Sequence, residues 1–279
     1  MNEFDKLYPD LIRSRRYNLH GHTQYCDGRA TVDEFAAAAY AAGMSHYGFS
    51  PHSPIPIPST CNMTVSSALE YLADICRLRE QYDGKIKILA SMEIDYLNDD
   101  WGPANDYFQS LPLDYRIGSV HFIPTRGGDF VDIDGSPDRF VVNLRERFGG
   151  DLRYVVETFF HQSIAMVERG GLDIIGHLDK VAHNASAVDP EVELRPWYRS
   201  LVGELMDLVT SKNIAVEINT KAYAGAHRFF PSVDHWPTLI ASGARIVVNS
   251  DAHYPDLIDA SRSEAYAILD ALAGGYNSR

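Results

Sequence analysis

Short apolar runs of strand length alternate with helical patterns along the whole chain, and this alternation limits the fold most. The runs cover 17–19, 47–50, 85–92, 115–119, 173–175, 214–218 and 245–249. Between them lie segments that read as helices. Thr31 and Glu34 form a capping box opening an Ala-rich helix that stops at Gly43, and a second helix spans 64–82 and closes at Gly84. Others cover 152–168, 195–211, a Ser232-capped stretch ending at Gly243, and 261–273. Strands that alternate with helices make parallel βα units. Seven such units predict an α/β chain folded as a single-domain, distorted (β/α)7 barrel over 1–279, with a doubly wound open sheet as the runner-up. The glycine-rich, charged segment 122–150 reads as a long loop over one end.

The ends of the runs carry the chemistry. The first ends in His20-Gly21-His22, with Asp27 five residues on. Side chains alternate along a strand, so both histidines face one way. The second run leads to His52, the third to Glu93, the fourth to His121, the fifth to His177, and the last to Asp251 and His253. In βα barrels the C-terminal strand ends build the active site. Six of the seven runs therefore deliver metal-binding groups to one rim. A single such histidine is more often a loop residue bonded to backbone; nine groups in one pattern are not explained that way. Nine candidates exceed the ligands of one ion, which implies two or three divalent ions. Nitrogen and oxygen donors without sulfur suit zinc, manganese or iron. Three such ions against Asp27, Glu93 and Asp251 leave a positive rim that draws in a phosphate dianion.

Composition agrees. A formal charge of −13 makes a poor general binder of nucleic acid, and no apolar run approaches a membrane span. With 45% hydrophobic residues the chain can bury a large core. Its three cysteines are too few for a disulfide framework and suit a reducing cytoplasm. Of the eleven histidines, His46, His161, His183, His227 and His235 fall in helices, at a strand start or in loops; His183 and His227 lie in loops on the active rim.

The stretches GFSPHSP (48–54), SMEIDY (91–96), LDYRIGSVHFIP (113–124), IIGHLD (174–179), AVEINTKAY (215–223) and VVNSDAHYP (247–255) span nearly the whole chain. With His20-x-His22 and Asp27 they resemble the metal signature of the PHP (polymerase and histidinol phosphatase) superfamily, and within it the histidinol-phosphate phosphatases. The resemblance implies that His20, His22, Glu93 and Asp251 surround one metal. A second is held by Asp27, His52, His253 and the bridging Glu93, and a third by His121 and His177. Some related enzymes carry histidine at the position of Asp27. The implied reaction is hydrolysis of L-histidinol phosphate in histidine biosynthesis, with a metal-bound hydroxide as nucleophile and Glu93, Asp251 and His253 as the catalytic set.

For the substrate, Lys221 and Arg228 after the sixth run and Arg126 in the long loop are the expected phosphate contacts, and Asp132 and Asp134 are weaker candidates for a substrate cation. The expected partner is a small phosphate monoester, with neither nucleic acid nor membrane involved. Self-association into a homo-oligomer is left open by the residues. Two other readings compete: a PHP-type phosphoesterase acting on nucleotides or other small esters, and a metal-binding module without activity. Fold alone does not choose among them.

Overall fold

All seven apolar runs overlap a strand in the computed structural model, which describes residues 3–276. The strands are β1 (Tyr17–Asn18), β2 (His46–Phe49), β3 (Lys87–Ala90), β4 (Glu93–Asp95), β5 (Ile117–Ser119), β6 (Phe122–Pro124), β7 (Phe130–Asp132), β8 (Ile174–Ile175), β9 (Ala215–Asn219) and β10 (Ile246–Asn249). Two parallel sheets result, ordered β1-β2-β3 and β10-β9-β8-β5-β4. The run 85–92 supplies β3 to the first sheet and leads straight into β4 of the second. At the joint, Ser91 donates to Phe49 on one side, and Met92 accepts from Ile117 on the other. Bridges between His52 and Glu93 and between Gly21 and Ala252 link the two sheets at both edges. The order therefore returns to its start, an α/β arrangement compatible with a closed seven-stranded barrel.

Helix Glu3–Ser14 shuts one end of this arrangement. Phe4, Leu7 and Leu11 follow an i, i+3, i+7 spacing and are buried against Tyr17, Leu89, Tyr115, Ile174, Ala215 and Val247. Tyr8 adds hydrogen bonds to both backbone groups of Ile246, where β10 begins. The plug therefore sits at the N-terminal ends of the strands, opposite the ends that carry the candidate ligands.

Local signals place the surrounding helices. The Thr31–Glu34 capping box is formed, and Thr64 caps helix Val65–Gln81. Ser232 differs: its side chain makes no cap bond, and its backbone N–H donates to Asp179. The larger departure is 122–150, which is not a long loop. It forms the antiparallel hairpin β6–β7 and helix Pro137–Phe148, capped by Ser136, begun by Pro137 and ended by Gly149 at φ 63°. Three-residue strands are too short for an alternation pattern to register, which is why the sequence hid them. No helix among the described residues is long and apolar enough to cross a membrane.

Candidate metal centre

The C-terminal strand ends bring the nine candidate ligands together. Glu93, at the start of β4 and 1% exposed, lies in the middle. Its Oε2 is 3.3 Å from His20 Nε2, 3.5 Å from His22 Nε2 and 3.1 Å from His52 Nδ1. Its Oε1 is 2.8 Å from His177 Nε2 and 3.4 Å from His121 Nε2. Asp251 Oδ1 lies 3.1 Å from His22 Nε2, and Asp27 Oδ1 lies 3.4 Å from His253 Nε2 and 3.5 Å from His22 Nδ1. His22 therefore stands between two groups, one with His20 and Asp251 and one with Asp27, His52 and His253. A third group joins His52, Glu93 and His121.

The ring nitrogens show what the cluster suits. His20 Nδ1 is 2.7 Å from Glu217 Oε1, and His121 Nδ1 is 2.7 Å from Asp95 Oδ1. A carboxylate holding the Nδ1 proton leaves Nε2 with its lone pair pointing inward, the arrangement of metal-bound histidines. Those inward atoms meet partners of the same kind: His20 Nε2 is 3.3 Å from His22 Nε2, and His121 Nε2 is 3.2 Å from His177 Nε2. Buried Asp27 Oδ1 and His52 Nδ1 make no hydrogen bond. Converging acceptors without donors fit divalent cations.

The electrostatics point the same way. Burial opposes charge on Glu93, yet His20, His121 and His52 hold its carboxyl well below the usual range. Asp251 is likewise held low against burial by Lys221 and His20. Burial pushes His22, His52 and His177 toward the neutral form that ligates metals. Burial works against His20 and His121 too, but facing carboxylates overcome it and raise His121 to about 9; the same negative field that would hold a proton on these rings favours a metal cation in its place.

Two of these residues sit in strained backbone. His177 has φ 24° and Asp251 φ 50°, where a side chain costs on the order of 1–3 kcal/mol. Glu217 Oε2 accepts the His177 backbone N–H, and Asn219 donates to both Glu217 and Asp251. Gly176 is required just before His177. A Cβ there would lie 2.5 Å from Ser119 Oγ, which donates to Glu93 Oε1 at 2.7 Å.

Sequence reading missed Glu217 and Asp95, both fully buried. Each carried a signal: Glu217 interrupts the apolar run AVEIN, and Asp95 follows Glu93 by two, on the same strand face.

The PHP domain profile matches residues 18–221 of this chain. The chain belongs to the PHP domain family. This PHP chain is 30% identical over 252 residues to a probable histidinol-phosphatase of Deinococcus radiodurans, covering 85% of both. It is 26% identical to a histidinol-phosphatase of Lactococcus lactis over 74% of this chain and 71% of that protein. Among solved structures, a putative histidinol phosphatase of Listeria monocytogenes superposes with a TM-score of 0.74 at 18% identity, over 89% of this chain and 99% of the other. The Lactococcus lactis phosphatase, solved with zinc, L-histidinol and phosphate, gives 0.67 at 19% identity over 92% and 93%. Both likenesses speak for the fold.

In this PHP domain a cavity of about 210 Å³ opens onto the cluster, and Lys221 lines it. Lys221 Nζ lies 3.3 Å from both Asp251 Oδ1 and His253 Nε2. The other two expected substrate cations lie elsewhere. Arg228 pairs with Glu193 at 2.6 Å and Asp179 at 3.2 Å, and Arg126 reaches outward to Asp151 at 2.7 Å. Each has an acid of its own, which position in a rim loop does not reveal. Asp132 and Asp134 do line the cavity; His183 and His227 flank Arg228 in a separate one.

Proposed function

We propose that this chain is a metal-dependent histidinol-phosphatase, hydrolysing L-histidinol phosphate to L-histidinol and phosphate in histidine biosynthesis. The observation that carries the reading is the gathering of eight histidine and aspartate candidate ligands around Glu93, beside a cavity that also holds Lys221. The named activity of relatives that cover most of the chain supplies the substrate. His20, His22, Glu93 and Asp251 would hold one ion; Asp27, His52, His253 and the shared Glu93 would hold a second; His121 and His177 would hold a third. Zinc fits these donors, as do manganese and iron. Such ions supply Lewis-acid neutralisation of a phosphate and acidify water at neutral pH.

The chain's own residues do the rest. Glu93 ties the groups together, and Asp251 and His253 join the ion sites to Lys221, whose ammonium faces the incoming phosphoryl oxygens. Glu217 and Asp95 orient His20 and His121. We place this activity in a single domain, in the cytoplasm, where three free cysteines are at home. Self-association is compatible with it.

A second reading comes from 21% identity to the Bacillus subtilis DNA polymerase/3'-5' exonuclease PolX, of which the chain covers 35%. A net charge of −13 opposes long nucleic acid as substrate. The deciding experiment is phosphate release by metal-reconstituted protein from L-histidinol phosphate, an aryl phosphate and a phosphodiester. Preferential turnover of histidinol phosphate is expected. Turnover of the diester alone overturns the proposal.

A further inference from the structure

Two cations that line the cavity are neither candidate ligands nor expected substrate contacts, Lys180 and Arg139, and of these Arg139 is 63% exposed whereas Lys180 is largely enclosed. Lys180 follows Asp179 in the segment after β8, and its side chain is 15% exposed. Its Nζ lies 2.7 Å from Asp134 Oδ2, and it lines the same cavity as Glu93, Asp251, Lys221 and His253. A buried ammonium is costly unless it is paired. Burial opposes its charge, but Asp134, Asp251 and Glu93 together keep it cationic.

Asp134 is itself fixed. Its backbone N–H donates to Asp132 Oδ1 at 2.8 Å, and Asn184 donates to the carbonyls of Ile133 and Gly135 on either side, both at 2.9 Å. The carboxylate is thus mounted on a braced turn beyond β7 and holds the ammonium at the cavity wall. An ammonium has three donors, more than one carboxylate neighbour uses. A phosphoryl group brings several acceptor oxygens, and charge-assisted bonds to it are the strong kind.

We propose that Lys180 is a second phosphoryl-binding cation of this cavity, acting beside Lys221, and that Asp134 is the positioning residue that aims it. The proposal rests on the phosphatase reading. It explains why a lysine is buried at a cavity already crowded with metal-seeking groups, and gives the β6–β7 hairpin a part in binding substrate. The competing explanation is structural: Lys180 merely anchors the hairpin.

The test uses metal-loaded full-length protein and inorganic phosphate as the probe, followed by calorimetry and by competition against an aryl phosphate. Lys180→Met should weaken phosphate binding by about 10- to 100-fold, the range for a hydrogen bond to a charged group. KM should rise in step while metal content is unchanged. Lys180→Arg should recover part of the affinity, and Asp134→Asn should lose less than Lys180→Met does. If Lys180→Met binds phosphate like the unaltered protein and only melts earlier, Lys180 is an anchor and the proposal fails. Should Lys180→Met not fold, Lys180→Gln takes its place, and wild-type phosphate affinity in that charge-free variant overturns the proposal equally. Phosphate binding by unaltered protein that does not turn over histidinol phosphate removes that substrate, and the affinity series still judges Lys180.

Discussion

The two ends of the strand assembly bury side chains equally well and for opposite reasons. At the N-terminal ends, Phe4, Leu7 and Leu11 press against Tyr115, Ile174 and Val247 with no more than 5% exposure of the three helix side chains. At the C-terminal ends, His20, His22, Glu93, His177, Glu217 and Asp251 are buried to within 2%. Apolar burial stabilises at roughly 25 cal/mol per Å², whereas buried polar groups cost free energy unless each finds a partner. One end therefore supplies stability that the other spends on holding inward-facing lone pairs together. The lesson is a division of labour along each strand: the start of a strand serves folding, and its end serves chemistry.

Glu93→Gln is the sharpest way to break the comparison. It keeps the shape and removes the central charge, so activity should fall by more than about 10²-fold, the upper end for partners outside the ligand set. Bound metal should fall with it, while the melting curve of metal-free protein shifts little or upward. Elemental analysis and circular dichroism read both. An active, metal-replete variant would refute the central role of Glu93. Leu11→Ala attacks the other end. A fully buried leucine cut to alanine should cost roughly 2–5 kcal/mol in denaturant unfolding, with specific activity per folded molecule retained. Loss of activity without loss of stability would show that the two ends are coupled.

How much of this could be read from the residues follows the same division. Seven strands were legible because runs such as KIKILASM are long and apolar, and their order followed from the helices between them. The rim was legible because His, Asp and Glu at the ends of apolar runs are conspicuous. Helix Glu3–Ser14 has no assignment in the sequence reading, although Phe4, Leu7 and Leu11 are spaced for one face; its role depends on the strand ends it covers, which no local pattern records. Arg228 and Arg126 were expected at the substrate because loop position is visible in sequence and ion pairing is not. Glu193 and Asp151, which hold them, lie 35 and 25 residues away. Lys180 was hidden for the same reason, since Asp134 reaches it from a different loop.

Glu217→Gln sharpens the boundary between the two ends. Glu217 sits in the middle of β9, directly beneath the candidate ligands, and touches His20, His177, Asn219 and Asn249. The amide can still accept from His20 but brings no charge to hold the Nδ1 proton. Metal affinity should drop about 10- to 100-fold. Titration of the apo protein with zinc reads this directly. An unchanged zinc isotherm would mean that the ring orientation of His20 is set by packing alone.

Arg126→Ala should have the smallest effect, and it discriminates because the sequence and the structure disagree about it. The guanidinium is 65% exposed, reaches Asp151 at 2.7 Å and lies over the Tyr154 ring at 4.5 Å. An exposed pair of this kind contributes about 0–1 kcal/mol, and screening by salt reduces it further. The expected outcome is a stability loss within that range and a KM for the phosphate ester within about twofold of the parent. Lys221→Met should raise the same KM by about tenfold or more, since that ammonium stands beside Asp251 and His253. A large KM effect at Arg126 would place the substrate outside the cavity at Glu93, because a side chain turned toward Asp151 reaches phosphate only if the hairpin end itself takes part in binding.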